Sequence, residues 1–386
     1  MFRRSGFLVL ASVGVILATF FAVRPFAIWY WTPLTERSIL KLYAIDNDPR
    51  NFDVLVLGAS IAEFAFYPNE IESELNSALP RSPGWTVYNA SIQAAFLPTY
   101  LEVLRNVVGR RQRPRAVMLA VSPRDFNGSS NRVQRQVRFF ARSPSDFWLV
   151  LTKAGNSRQR WSAIQALTHG LEVIFQGPLW PFYRDDVAYF QGAHGRILLD
   201  HYPVLRVAME ADARHQISPQ YMEELKQVGM KEVKTQQLND FVINDLIDVW
   251  TRAIIAEAKT KKVPLAIVFM PATEWFDRNA FGPEKALALQ YIARVCAETN
   301  TPLYNLEDPR FRPRDEDFFE GCDHLSYAGA APLSRAAARF IVAPLLSGTP
   351  PAAAPAAPPP AAGKPIPGKM GFGAAPAPAS GATPMP

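Results

Sequence analysis

The sequence predicts an α/β fold, three layers with a central parallel sheet, and three observations carry that prediction. Short, wholly apolar runs of strand length recur at residues 54–57, 116–121 and 264–271. Between them lie amphipathic stretches of helical period, one over 98–109 and a longer one with Leu238, Phe241, Val242, Leu246, Trp250, Ile254 and Ile255 on one face. Strand, helix and strand in that order imply right-handed crossovers, and so parallel pairing.

Taken from its start, the chain opens with Arg3 and Arg4 and then runs for 18 residues, 6–23, without a charge. A span of about 17–25 apolar residues crosses a bilayer. The aromatics Trp29, Tyr30 and Trp31 then suit the membrane–water interface. Residues 1–31 are therefore expected to form an uncleaved signal anchor, a transmembrane helix that places the rest of the chain on the extracytoplasmic side of the cell membrane. A cleaved signal peptide is the rival reading, with a poor small-residue cleavage pattern near 18–25. Residues 32–50 read as an amphipathic connector and 51–346 as the folded domain.

The first strand, 54–57, runs into Gly58-Ala59-Ser60 and a helix-compatible stretch, so Ser60 stands on a strand-to-helix turn. Two readings are open there: a nucleophile at the carboxyl end of a sheet, or an ordinary helix cap. Residues 85–88 read as a second strand. Pro98 opens the helix that ends at Gly109, and 116–121 is the third strand, followed by Ser122-Pro123-Arg124-Asp125-Phe126-Asn127. From 131 to 230 the regularity fades into aromatic-rich pieces, an insertion suited to covering the open end of the sheet. Its histidines, His169, His194, His201 and His215, lack metal-ligand spacing. The helix through Trp250 leads to the fourth strand, a helix follows over 283–299, and 302–306 is an edge strand. A closing helix spans 332–346. Beyond 347 the chain is a Pro/Ala-rich tail, too poor in apolar surface to fold and expected to be disordered.

Charge and cysteines narrow the function classes. The formal charge is +6, but the basic residues are dispersed apart from 110–115, which reads as a solvated helix end; no nucleic-acid partner is expected. The two cysteines, Cys296 and Cys322, read as separate thiols, and no metal or cofactor is expected.

Near the carboxyl end, just before the last helix, stands Glu320-Gly321-Cys322-Asp323-His324-Leu325-Ser326. A serine after the first strand and a histidine before the last helix can meet above the carboxyl edges of a parallel sheet. With these blocks the chain resembles the SGNH (GDSL-like) hydrolase superfamily over about residues 50–345, and in particular its membrane-anchored bacterial members related to cell-surface acyl-transfer proteins. The resemblance implies a flavodoxin-like three-layer fold, with Ser60 as nucleophile and His324 as general base. It places Ala94, in the block 89–95, where a glycine N–H usually lines the oxyanion hole beside that of Ser60. Arg124 stands where the family has asparagine, leaving three readings: oxyanion stabilisation by Arg124, by Asn127 turned inward, or structural pairing of Arg124 with Asp125. Gly321 stands where the family has its acid, three residues before the histidine. Asp323, Glu320 or Asp317 would then orient His324, or the pair would act as a dyad.

The chemistry expected of this set is acyl transfer through an acyl-serine. The acceptor is water in an esterase and a sugar hydroxyl in an O-acyltransferase. Small acyl esters, of a surface glycan by resemblance and location, are the expected substrates. The alternative is an inert member of the same fold that binds a glycan or a membrane-bound acyltransferase.

Overall fold

Five strands build one sheet: β1 Val54–Leu57, β2 Val87–Asn89, β3 Ala116–Val121, β4 Leu265–Phe269 and β5 Leu303–Asn305. All pairs are parallel and the order is β2-β1-β3-β4-β5. This structure is a computed structural model, and it describes residues 48–93, 95–109, 112–130, 144–154, 219–234, 240–319 and 322–348, with isolated positions such as Lys41, Ile45 and Leu238. The expected anchor, apart from residues 14, 15 and 18, lies outside the described residues, as do Ala94, Glu320, Gly321, the four insertion histidines and the tail. Among the described residues no helix is long and apolar enough to cross a membrane.

Strands β1, β3 and β4 are buried on both faces, which is why their sequences are continuous apolar runs rather than alternating ones. Alternate residues divide between two cores. Leu55, Leu57, Val117, Leu119, Ile267 and Phe269 face one; Val54, Val56, Met118, Ala120, Ala266 and Val268 face the other. The first core is closed by α3 (Leu97–Asn106), α6 (Asp245–Thr260) and α7 (Gly282–Thr299), with Trp250 fully buried. The second is closed by α1 (Ser60–Ala65), α2 (Pro68–Ala78) and α8 (Tyr327–Ala337). Helices thus cover both faces of the parallel sheet. From the insertion, α4 (Pro144–Lys153) and α5 (Pro219–Glu232) are described.

The sequence reading differs from the structure in several places, among them the helix expected to end at Gly109, which ends at Asn106. Strand β2 starts at Val87, because Thr86 is engaged by Asp53: its N–H and its hydroxyl each donate to Asp53 Oδ2 at 3.0 Å. Helix α2 was not expected; Pro68 at its first turn starts it, and Ile71 and Leu75 anchor it. Helix α6 begins only at Asp245, where Asn244 caps it by accepting from the Ile247 N–H at 3.1 Å, so Leu238, Phe241 and Val242 precede it. Helix α8 begins at Tyr327, before Pro332, since Gly329 and Ala330 already donate back to the Ser326 carbonyl.

Between β1 and β3 the chain leaves the sheet in opposite directions, toward β2 on one side and β4 on the other. Crevices at such reversals lie at the carboxyl ends of the strands. The loops after β1 and β3 flank this one.

Candidate active site

Ser60 is the first residue of α1, one step beyond the N-cap Ala59, and the cap makes no side-chain hydrogen bond. The capping reading therefore fails. The hydroxyl instead lies 2.9 Å from His324 Nε2. Gly58 makes this turn possible by close approach: a Cβ there would sit 2.4 Å from Ala62 Cβ and 3.0 Å from the Ala120 carbonyl oxygen. As a first-turn residue, Ser60 carries one of the backbone N–H groups that a helix leaves unpaired.

His324 comes from a short loop ahead of α8. An antiparallel bridge joins Phe318 and Leu325, and Phe319 N–H donates to the His324 carbonyl at 3.1 Å, so the loop folds back on itself. Its imidazole stands edge-on to Phe64 with ring centroids 5.0 Å apart, and Phe319 lies on another side at 5.9 Å. On its far nitrogen, Nδ1 lies 3.2 Å from Asp323 Oδ1. That is the long end of an N–H···O hydrogen bond. In the tautomer that carries its proton on Nδ1, beside the carboxylate, Nε2 is the basic nitrogen facing Ser60.

The structure thus brings together Ser60, His324 and Asp323. Of the other described candidates, Asp317 and Asn127 have partners elsewhere and Arg124 reaches Asp323. Asp317, which the sequence left open as the acid, accepts from the Arg314 N–H at 2.9 Å and holds the guanidinium by Oδ1 at 3.2 Å. The side-chain oxygen of Asn127 accepts from Val242 N–H at 3.1 Å and from the Ser129 N–H and hydroxyl at 3.2 and 3.0 Å, pinning a turn. Arg124 donates to Asp323 and forms an ion pair with it. Asp125 accepts from Ser122 N–H at 2.7 Å, Ser122 hydroxyl at 3.1 Å and Tyr100 hydroxyl at 3.0 Å. Its burial pushes its pKa up to about 6, against these hydrogen bonds.

Several supporting residues were missed by sequence reasoning. Lys41, in the connector, donates to Glu63 of α1 and to the Ser91 carbonyl at 3.0 Å, and all of this is buried. Glu63 is a lone charge in the apolar run 61–67, and that isolation was the signal for a partner. Asn89, at the end of β2, donates to the Phe66 carbonyl at 2.7 Å and accepts from Ser91 N–H at 3.0 Å, tying the loop after β2 to the end of α1. Ser334 of α8 accepts from Tyr67 N–H at 2.9 Å and donates to the Ala65 carbonyl at 3.1 Å. The elements carrying serine and histidine are thereby locked together.

The cysteines are separate buried thiols, Cys296 on α7 and Cys322 in the histidine loop. Cys322 joins a small apolar cluster with Phe276, Phe281 and Val233, which seats the end of the insertion against this loop. Among the described residues no cluster of His, Cys, Asp and Glu has the arrangement of a metal site. Compared with known proteins, the chain matches no family model and no curated protein.

Proposed function

We propose that the chain is a serine esterase or O-acyltransferase of the SGNH type that works through an acyl-serine intermediate. The observation that carries the reading is the 2.9 Å contact between Ser60 Oγ and His324 Nε2 with Asp323 behind the imidazole. The strand order 2-1-3-4-5, which flavodoxin-like doubly wound sheets share, supports it as well.

In the proposed reaction His324 takes the Ser60 proton as the oxygen attacks the acyl carbon of an ester. Asp323 stabilises the imidazolium that forms. The tetrahedral oxyanion is met by the Ser60 backbone N–H and, by resemblance, that of Ala94; such donors contribute about 3–4 kcal/mol each. His324 then returns the proton to the departing alcohol, leaving acyl-Ser60. Water attacking that ester gives a carboxylic acid, and a sugar hydroxyl gives a new ester. The proposed setting is the extracytoplasmic face of a membrane, with the N-terminal segment as anchor. Small acyl groups of a surface glycan are the proposed substrates, by resemblance and location. The inert accessory reading, with a membrane-bound acyltransferase as partner, draws on Gly321 in the position of the family's acid; the placement of Asp323 weighs against it.

A fluorophosphonate probe tests the proposal on the full-length chain. Labelling is expected at Ser60 and is expected to vanish in Ser60→Ala and to fall at least about 100-fold in His324→Ala. A folded native chain that takes up no probe overturns the enzyme reading in favour of the inert one.

A further inference from the structure

Asp323 has two carboxylate oxygens, and they serve different partners. Oδ1 faces His324 Nδ1, and Oδ2 accepts from the Arg124 guanidinium. The Arg124 and Asp323 side chains are only 10% and 2% exposed. Both charges are withdrawn from water, so removing either one strands the other. The arginine reaches it from a rigid base. Its turn, Pro123–Phe126, is closed by Asp125, which Ser122 and Tyr100 hold from two sides.

A second observation concerns Asp323 itself. It is the sequence neighbour of the histidine it serves, and its contact with Nδ1, at 3.2 Å, is long. A carboxylate so placed is oriented by whatever grips its other oxygen. We infer that Arg124 is a positioning residue for the Ser60–His324 pair: it fixes the rotamer of Asp323, and through it the imidazole, while its charge tempers the pull of the carboxylate on the imidazole proton. The inference rests on the esterase reading for its catalytic meaning, but not for its geometry. It also gives the arginine a different task from the asparagine it replaces in the resemblance, since its guanidinium donates to the acid.

Among the described residues, two polar groups and two rings face His324. Asp323 faces Nδ1 and Ser60 of α1 faces Nε2; Phe64 of α1 and Phe319 of the loop add uncharged walls. Arg124 acts on this set through Asp323, and Asp125 of the same turn is directed to Tyr100 and Ser122.

The test compares Arg124→Met and Arg124→Lys with the native full-length chain. The rate of fluorophosphonate labelling at Ser60 is followed across pH. Arg124→Met is expected to slow labelling by about 10- to 100-fold and to move the acid limb of the profile to higher pH, because the carboxylate is left uncompensated. Arg124→Lys keeps the charge and loses the planar fork; it is expected to leave the limb in place and to slow labelling less. Native rate and limb in Arg124→Met overturn the inference, as does a slower rate with an unmoved limb. If Arg124→Met does not fold, Arg124→Lys decides: a moved limb or the native rate overturns it.

Proton NMR separates this inference from the esterase reading. A far-downfield Nδ1–H signal, identified by its loss in His324→Gln, is expected in the native chain and is expected to shift or vanish in Arg124→Met. A signal indifferent to Arg124 sinks the inference. A signal that responds, in a chain that takes no probe, sinks the esterase reading alone.

Discussion

At the scale of single residues, Gly58 and Asp125 show how backbone and charge prepare the site. Gly58→Ala would drive a methyl group against Ala62 and the Ala120 carbonyl, a backbone group that cannot step aside. Overpacking of that kind costs about 1–3 kcal/mol, and urea unfolding should register it as a lower midpoint with an unchanged slope. Asp125 makes stability depend on pH. Folded, it keeps its proton up to about pH 6, against an ordinary value of 3.8, so between those values the folded chain binds more protons than the unfolded one. This group's contribution is therefore lost as pH rises through that window. Asp125→Asn is expected to flatten the slope of stability against pH from about 4 to 6, measured by urea titrations across that range. Ser60 could be placed in the sequence because it follows the first strand at a strand-to-helix turn, and His324 because it stands in a polar loop just before the last helix. The task of Arg124 was not legible, since its partner lies 199 positions away in the chain and only folding supplies it.

At the scale of elements, the main strands and the long helices could be read because burial on both faces makes strands uniformly apolar and surface helices amphipathic. Strand β2 and the start of α6 were displaced by hydrogen bonds that the side-chain oxygens of Asp53 and Asn244 accept, which no periodicity reveals. The connector was read as amphipathic, yet Lys41 is fully buried against Glu63, and burial holds its pKa below the ordinary lysine value. Lys41 thereby ties the connector to α1 and to the loop after β2. Removing one partner of a buried pair leaves the other charge stranded. Lys41→Met should cost about 3–5 kcal/mol by chemical denaturation, while Lys41→Met combined with Glu63→Leu should recover most of it.

At the scale of the whole molecule, the site depends on contacts between distant parts of the chain. Ser60 and His324 meet across 264 positions, and Ser334 bonds to the segment after α1 across 267. No local stretch holds a working pair, so the site should form only when the domain folds as a unit. Probe labelling of Ser60 and far-ultraviolet circular dichroism are expected to be lost at the same urea concentration; labelling that fails well before the helices melt would show a site less stable than its fold. The position of the insertion gives this dependence a practical side. It separates β3 from β4, so a break in the backbone within 155–218 divides the sheet into a β2-β1-β3 part and a β4-β5 part. One part carries Ser60 and Arg124, the other Asp323 and His324. The chain is thus laid out as a split reporter: two fragments expected to be silent apart and to regain the probe signal when they rejoin through β3 and β4 and the helices that pack across them.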